Sequence, residues 1–323
     1  MIRAEDADPP PPERGPVGVV GYGNQGAAQA HCLRDSGCAV RVFVRSGPSA
    51  DRARTDGFPP ASPGALADCR SIGVLVPDEA VDDVAGSLLH PHAPEGALLV
   101  FAHGFAPRAA GPAAFREDLD LALVGPLGPG TLLRERFVAG QGLPGLFAVL
   151  RDVTGRAEER ALAWAAGIGA ARAGLLATDL DEEVVSDLFT EQAVLVGGVV
   201  ELMRAAWDTL TEAGISEDVA YYSCVQELKQ MLDLVHRHGP AGMRDLISGT
   251  ARYGALTRGP RVVGDETRRA MRAVLEEIRS GEFAREWLAE HRAGGAGLRA
   301  RTEEEARRPW EEAGERVRRH LGH

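Results

Sequence analysis

Three glycines in the segment VGVVGYGNQG (17–26) have the type and spacing to hold a phosphate. Gly21, Gly23 and Gly26 form G-x-G-x-x-G after an apolar run and ahead of a helix-like stretch, the context that gives the pattern meaning. Gly21 suits a tight turn, Gly23 lets backbone approach a pyrophosphate, and Gly26 permits close packing of helix on sheet. The helix start adds free N–H groups and the positive end of a dipole. A second position decides which dinucleotide fits. An acid at the end of the next strand would bond the ribose 2′-hydroxyl and repel a 2′-phosphate. The chain instead has Arg45, Ser46 and Ser49 there, with Arg52 close behind. A guanidinium pairs with a phosphate as a fork and hydroxyls add hydrogen bonds, so NADPH is the expected cofactor.

The elements that must position these residues follow from hydrophobic patterning. Apolar runs at 17–20, 40–44, 72–76, 97–101, 121–124 and 146–149 alternate with helical stretches. That pattern predicts an α/β Rossmann domain, a parallel sheet with helices on both faces. After Asp179 the strand pattern stops. Helical periodicity covers 184–213, 218–237 and 266–279, followed by an Arg/Glu-rich tail that reads as a solvated helix held by i,i+4 pairs. The expected division is a disordered arm at 1–15, a Rossmann domain at 16–180 and an all-α domain at 181–323.

A net charge of −11 argues against nucleic acid or an anionic membrane as partner. No apolar run reaches the ~20 residues of a membrane helix, and the acidic, proline-rich N-terminus lacks the apolar stretch of a signal peptide. The four cysteines, Cys32, Cys38, Cys69 and Cys224, have no metal-site spacing and read as reduced thiols of a cytoplasmic protein. Basic residues are almost all arginine; Lys229 is the single lysine. His31, His236 and His238 read as packing or helix-end residues, and Trp207, Tyr221 and Tyr222 as core or interface.

Read in order, GYGNQG, LVPDE (75–79), AHGF (102–105), GPLGPG (125–130), DLFTEQAVL (187–195), QELK (226–229) and GMRDLISGTARYG (242–254) resemble short-chain ketol-acid reductoisomerases over residues 16–310. The resemblance implies a Rossmann domain followed by a knotted helical domain that forms a homodimer. It implies a Mg²⁺-assisted alkyl migration on 2-acetolactate, then hydride transfer from NADPH, within branched-chain amino-acid biosynthesis. Asp187 and Glu191, i,i+4 on one helix face, match the family's metal-binding acids. Glu227 matches a carboxylate that reaches across the dimer. His103 matches the active-site histidine near the nicotinamide, and Ser248 the substrate-binding serine. Tyr22, Asn24, Gln25, Pro77, Asp78 and Gly128 fall in the cofactor-proximal motifs.

Two positions depart from that pattern. Leu127 stands where the family carries a lysine contacting a metal-bound oxygen, and Ser223 where it carries a glutamate one turn before Glu227. Thr131 and Gly249 replace a usual histidine and asparagine. Drift from Lys to Arg would leave arginine at 127; leucine removes charge and donors outright. The weakened centre would bind one magnesium ion or two. Three readings stand: a divergent NADPH-dependent reductase of another carbonyl or imine in specialised metabolism, a genuine ketol-acid reductoisomerase making 2,3-dihydroxyisovalerate, and a non-catalytic NADPH-binding paralogue.

Overall fold

The computed structural model describes residues 15–322, and the arm expected at 1–15 lies almost wholly outside them. The chain divides into two compact units at Val184/Val185, four residues beyond the boundary expected from sequence.

The first unit is built on one sheet. Its strands are β1 (Pro16–Val20), β2 (Ala39–Phe43), β3 (Ser71–Val74), β4 (Leu98–Phe101), β5 (Asp120–Pro126), β6 (Gly145–Arg151) and β7 (Leu175–Ala177). Their order is β2-β1-β3-β4-β5-β6-β7, and every neighbouring pair is parallel except β5 with β6. The sheet is therefore mixed, where patterning alone predicts a parallel one. Alternate residues feed two apolar layers: Leu98, Val100, Ala122 and Val124 face Trp164 and Leu33, while Leu99, Phe101, Leu121 and Leu123 face Phe115 and Leu89. Burial on both faces is why these strands read as unbroken apolar runs. Helices α1 (Asn24–Asp35), α2 (Pro48–Thr55), α3 (Gly130–Val138) and α4 (Ala157–Gly167) complete the frame. The chain leaves β1 for β2 on one side and later for β3 on the other, opening a crevice at the strands' carboxyl ends, where such folds bind ligands.

Cys69 is fully buried, and burial pushes its thiol up to about 11. Raising the folded-state value makes its contribution to stability complete below the unfolded thiol's ordinary value and lost as pH climbs toward 11. Iodoacetamide at pH 8 should therefore label native Cys69 about 100-fold more slowly than the urea-unfolded chain. Equal rates, followed by mass spectrometry, would contradict this packing.

Helix α5 (Leu180–Thr190) leads into the second unit, followed by α6 (Gly198–Glu212), α7 (Glu227–Asp245), α8 (Gly249–Val262), α9 (Asp265–Arg279), α10 (Glu282–Arg292), α11 (Ala296–Glu305) and α12 (Pro309–Leu321). The long helices expected from periodicity are interrupted. Glu191–Leu195 and Tyr222–Gln226 are wound as π-helix, and Gly239, at φ +70°, kinks α7 before Pro240. His236 and His238 accordingly sit at the end of a helical segment. The tail is not merely solvated. Although Arg319–Glu315 and Arg307–Glu303 pair i,i+4 at the surface, α12 buries Trp310, Ala313 and Val317 against Trp207 and Tyr221. A Cβ on Gly314 would stand 2.6 Å from the Tyr221 ring, so glycine lets that helix approach. No helix among the described residues is long and apolar enough to cross a membrane.

Candidate functional site

The glycine loop joins β1 to α1. Gly21 has φ +96°, and a Cβ there would lie 2.4 Å from the Leu75 carbonyl oxygen; one on Gly26 would lie 2.4 Å from the Gly21 oxygen. Both positions require glycine. Gly23 differs: nothing lies within 4 Å of where its Cβ would stand, so the space beside it is open for a ligand. The residues present thus fit a pyrophosphate, with room at Gly23 and the start of α1 behind it.

Two adjoining cavities run along the strand ends of the first unit. The larger, about 570 Å³, is lined by Gly21, Gly23, Arg45, Ser46, Ser49 and Pro77. The smaller, about 280 Å³, is lined by Gly23, Asn24, Gln25, Pro77, Asp78 and His103. Gly23 and Pro77 border both. These sizes suit the two halves of a dinucleotide. Arg45, Ser46 and Ser49 are exposed at the outer cavity, with no acidic side chain lining it.

Three sequence candidates turn out to be tied into the fold. The Asn24 side-chain oxygen accepts from the Gly130 N–H, and Gln25 Nε2 donates to the Gly128 carbonyl at 3.0 Å. Gln25 in turn accepts from Gln29, whose Oε1 accepts from buried Trp164 at 2.9 Å. The first turn of α1 therefore fastens the GPLGPG loop to the core, while Gly128, at φ +151°, shapes that loop. The Tyr22 ring is buried, and its hydroxyl donates to Asp56 at 2.8 Å. Burial raises the phenol far above its ordinary value, with the Asp56 bond adding to the effect. Arg52, grouped above with the phosphate-binding residues, instead donates to the Tyr22 and Gly23 carbonyl oxygens.

His103 follows β4. Its Nδ1 accepts from the Phe105 N–H at 3.3 Å and stands 3.7 Å from the Asp78 carboxylate. In the neutral ring that bond leaves the proton on Nε2. Glu183, which sequence reading missed, is 3% exposed, and its Oε2 accepts from the Gly104 N–H at 3.0 Å. One ring nitrogen of His103 and one oxygen of Glu183 lie within 4.8 Å of each other, and Glu183 and Asp187 bear the same relation one turn apart along α5. The available signal was the i,i+4 row Glu183, Asp187, Glu191, which starts one turn earlier than the motif.

In the second unit Glu191 opens the first π-helical turn and Glu227 directly follows the second. Such turns recur at functional sites because they re-aim side chains without ending the helix. Among the described residues neither acid joins a group of three or more metal ligands. Ser248 caps α8, its hydroxyl accepting from the Ala251 N–H at 3.2 Å. Leu127 is 52% exposed, and Ser223 is exposed within the second π-helical turn.

A Rossmann unit with a dinucleotide-sized crevice leading to a histidine defines an NAD(P)-dependent oxidoreductase. Residues 13–174 match the family model of the acetohydroxy acid isomeroreductase NADPH-binding domain, and 180–322 that of the ketol-acid reductoisomerase C-terminal domain. The chain belongs to the ketol-acid reductoisomerase family. It is similar over 98% of both chains, at 35% identity and TM-score 0.93, to an NADH-preferring ketol-acid reductoisomerase from an uncultured archaeon. Fold alone is shared with a semialdehyde dehydrogenase NAD-binding protein from Cupriavidus necator, at 17% identity, 83% and 99% coverage and TM-score 0.65. The same holds for Plasmodium falciparum pyrroline carboxylate reductase, at 14% identity, 83% and 98% coverage and TM-score 0.52.

Proposed function

We propose that this chain is an NADPH-dependent reductase that keeps the hydride-transfer half of the family's chemistry and has an impaired alkyl migration, acting on a carbonyl or imine other than 2-acetolactate. The observation that carries this is the pair Leu127 and Ser223, which puts an apolar side chain and a hydroxyl where the family pattern has an ammonium and a carboxylate. Mg²⁺ favours several oxygen ligands in octahedral array, so losing a carboxylate weakens a second ion. Losing the lysine removes fixed positive charge where negative charge develops. Asp187, Glu191 and Glu227 would hold what metal binds, one ion or two.

The cofactor, when bound, supplies the hydride. The glycine loop orients its pyrophosphate, and Arg45, with Ser46 and Ser49, recognises a 2′-phosphate; the archaeal neighbour's stated preference for NADH makes that choice a testable one. His103 Nε2–H would donate a hydrogen bond toward the substrate oxygen and stabilise the negative charge that develops there, with water supplying the proton that completes the product. The working form is a cytoplasmic homodimer or higher homo-oligomer in which Glu227 serves the partner's site. Exposed Leu195, Val196, Leu232, Leu246, Tyr253 and Leu256 in the second unit supply apolar area for that contact.

NADPH and NADH oxidation should be followed with 2-acetolactate and with simple 2-keto acids, with and without Mg²⁺. The expected result is 2-keto-acid reduction favouring NADPH, with 2-acetolactate turned over slowly at best. A second reading, a genuine ketol-acid reductoisomerase, is favoured by the likeness to the archaeal enzyme along the whole chain. Rapid Mg²⁺-dependent turnover of 2-acetolactate would establish it instead.

A further inference from the structure

Helix α2 grips the glycine loop at two points one turn apart. Arg52 donates to the carbonyl oxygens of Tyr22 and Gly23, the latter at 3.0 Å, with its guanidinium 5.3 Å from the Tyr22 ring centre. Asp56, four residues on, accepts from the Tyr22 hydroxyl at 2.8 Å and lies 3.5 Å from His31 Nε2. Tyr22 is 1% exposed, so its ring cannot swing to relax the loop.

A trans peptide is planar, and its C=O and N–H point in opposite directions. Fixing the Tyr22 carbonyl therefore fixes the direction of the Gly23 N–H, and fixing the Gly23 carbonyl fixes that of the Asn24 N–H. Gly23 lines both cavities and Asn24 the inner one. We propose that Arg52 is a positioning residue for the dinucleotide pyrophosphate: by holding two carbonyls from behind the loop, it aims the Gly23 and Asn24 N–H groups at the phosphates. The Gly23 carbonyl also accepts from the Ala27 N–H at 3.1 Å, so there Arg52 reinforces a direction that the start of α1 sets, and its larger effect falls on the Tyr22 carbonyl and the Gly23 N–H. Both bonds leave one guanidinium nitrogen, Nη2, whose two hydrogens reach the two oxygens. The inference rests on the reading of the crevice as a dinucleotide site, and it separates Arg52 from Arg45, whose task is the 2′-phosphate.

The pyrophosphate is common to both cofactors, and that makes the test selective. The full chain and its Arg52→Gln and Arg52→Lys variants are titrated calorimetrically with NADPH and with NADH. Arg52→Gln should weaken both by the same factor, about tenfold. KM for both should rise while kcat stays within about twofold, the signature of lost uniform binding. Arg52→Lys should recover part of the loss. The melting temperature without cofactor should stay within about 4 °C of wild type, the shift of a small destabilisation. A loss confined to NADPH overturns the proposal by making Arg52 a 2′-phosphate ligand, and unchanged affinity for both overturns it outright. Should Arg52→Gln fail to fold, Arg52→Lys is read by the same criteria. Failure of the wild-type chain to bind either dinucleotide would defeat the oxidoreductase reading instead.

Discussion

Replacing Asp120 with alanine should lower stability by about 3–5 kcal/mol, a large share of the ~5–15 kcal/mol typical of a domain. Asp120 is completely buried at the start of β5. Its carboxylate accepts from the Val153 N–H at 2.7 Å, the Thr154 N–H at 3.1 Å and the Thr154 hydroxyl at 2.5 Å. It also stands 3.6 Å from Arg160, itself 4% exposed, which donates to the Gly96 carbonyl at 2.7 Å. Alanine would strip the acceptor from two N–H groups and the counter-charge from a buried guanidinium. Each loss is expensive where water cannot substitute. Urea unfolding should show the midpoint falling with an unchanged slope. A double variant, Asp120→Leu with Arg160→Met, should be less damaged than Asp120→Ala, because the cost lies in stranding one charge and not in losing the pair. Asp120 sits at the opposite end of the sheet from the crevice, so cofactor affinity of the folded variant should be unchanged. A loss under about 1 kcal/mol would show that the network is dispensable.

That network was invisible in the sequence, while the crevice was largely legible, and the contrast has a physical basis. The glycine loop could be read because its constraints are local: Gly21 needs a positive φ and Gly26 a missing Cβ, whatever else the chain does. Strands buried on both faces are legible as apolar runs for the same reason. Strand β7 was not, since Leu175–Ala177 has three residues and buries only the first. The reversal of β6 was not, because residue patterning carries no strand direction. Glu183 looks like any other member of the acidic run 179–183. Only the approach of the Gly104 backbone distinguishes it. In the sequence Arg52 is only a basic residue close behind Arg45, Ser46 and Ser49; that it faces back onto the loop is a property of how α2 packs. The buried face of α12 escaped because Trp310, Ala313 and Val317 are spaced among so many charges that the stripe is narrow.

Leu127→Lys together with Ser223→Glu should raise Mg²⁺-dependent turnover of 2-acetolactate at least 100-fold over wild type, the size of effect that one well-placed charge has on a developing oxyanion. Neither substitution fights the fold. Leu127 is 52% exposed, no non-glycine residue described has a positive φ, and Ser223 is exposed where a longer side chain has room. Each single variant should recover far less than the pair, because the family's rearrangement, as proposed for these positions, uses both groups, and groups used together are not additive. Simple 2-keto-acid reduction, as proposed above, would draw on the cofactor crevice and His103 alone, so it should change little. The comparison therefore separates the two halves of the chemistry within one chain. If wild type already performs the rearrangement quickly, the double variant will gain nothing, and Leu127 and Ser223 must be tolerated replacements in a working reductoisomerase. If the double variant gains the rearrangement while reduction holds steady, the remaining acids, Asp187, Glu191 and Glu227, are still placed to bind metal. The missing half of the activity would then lie in two side chains and not in the scaffold.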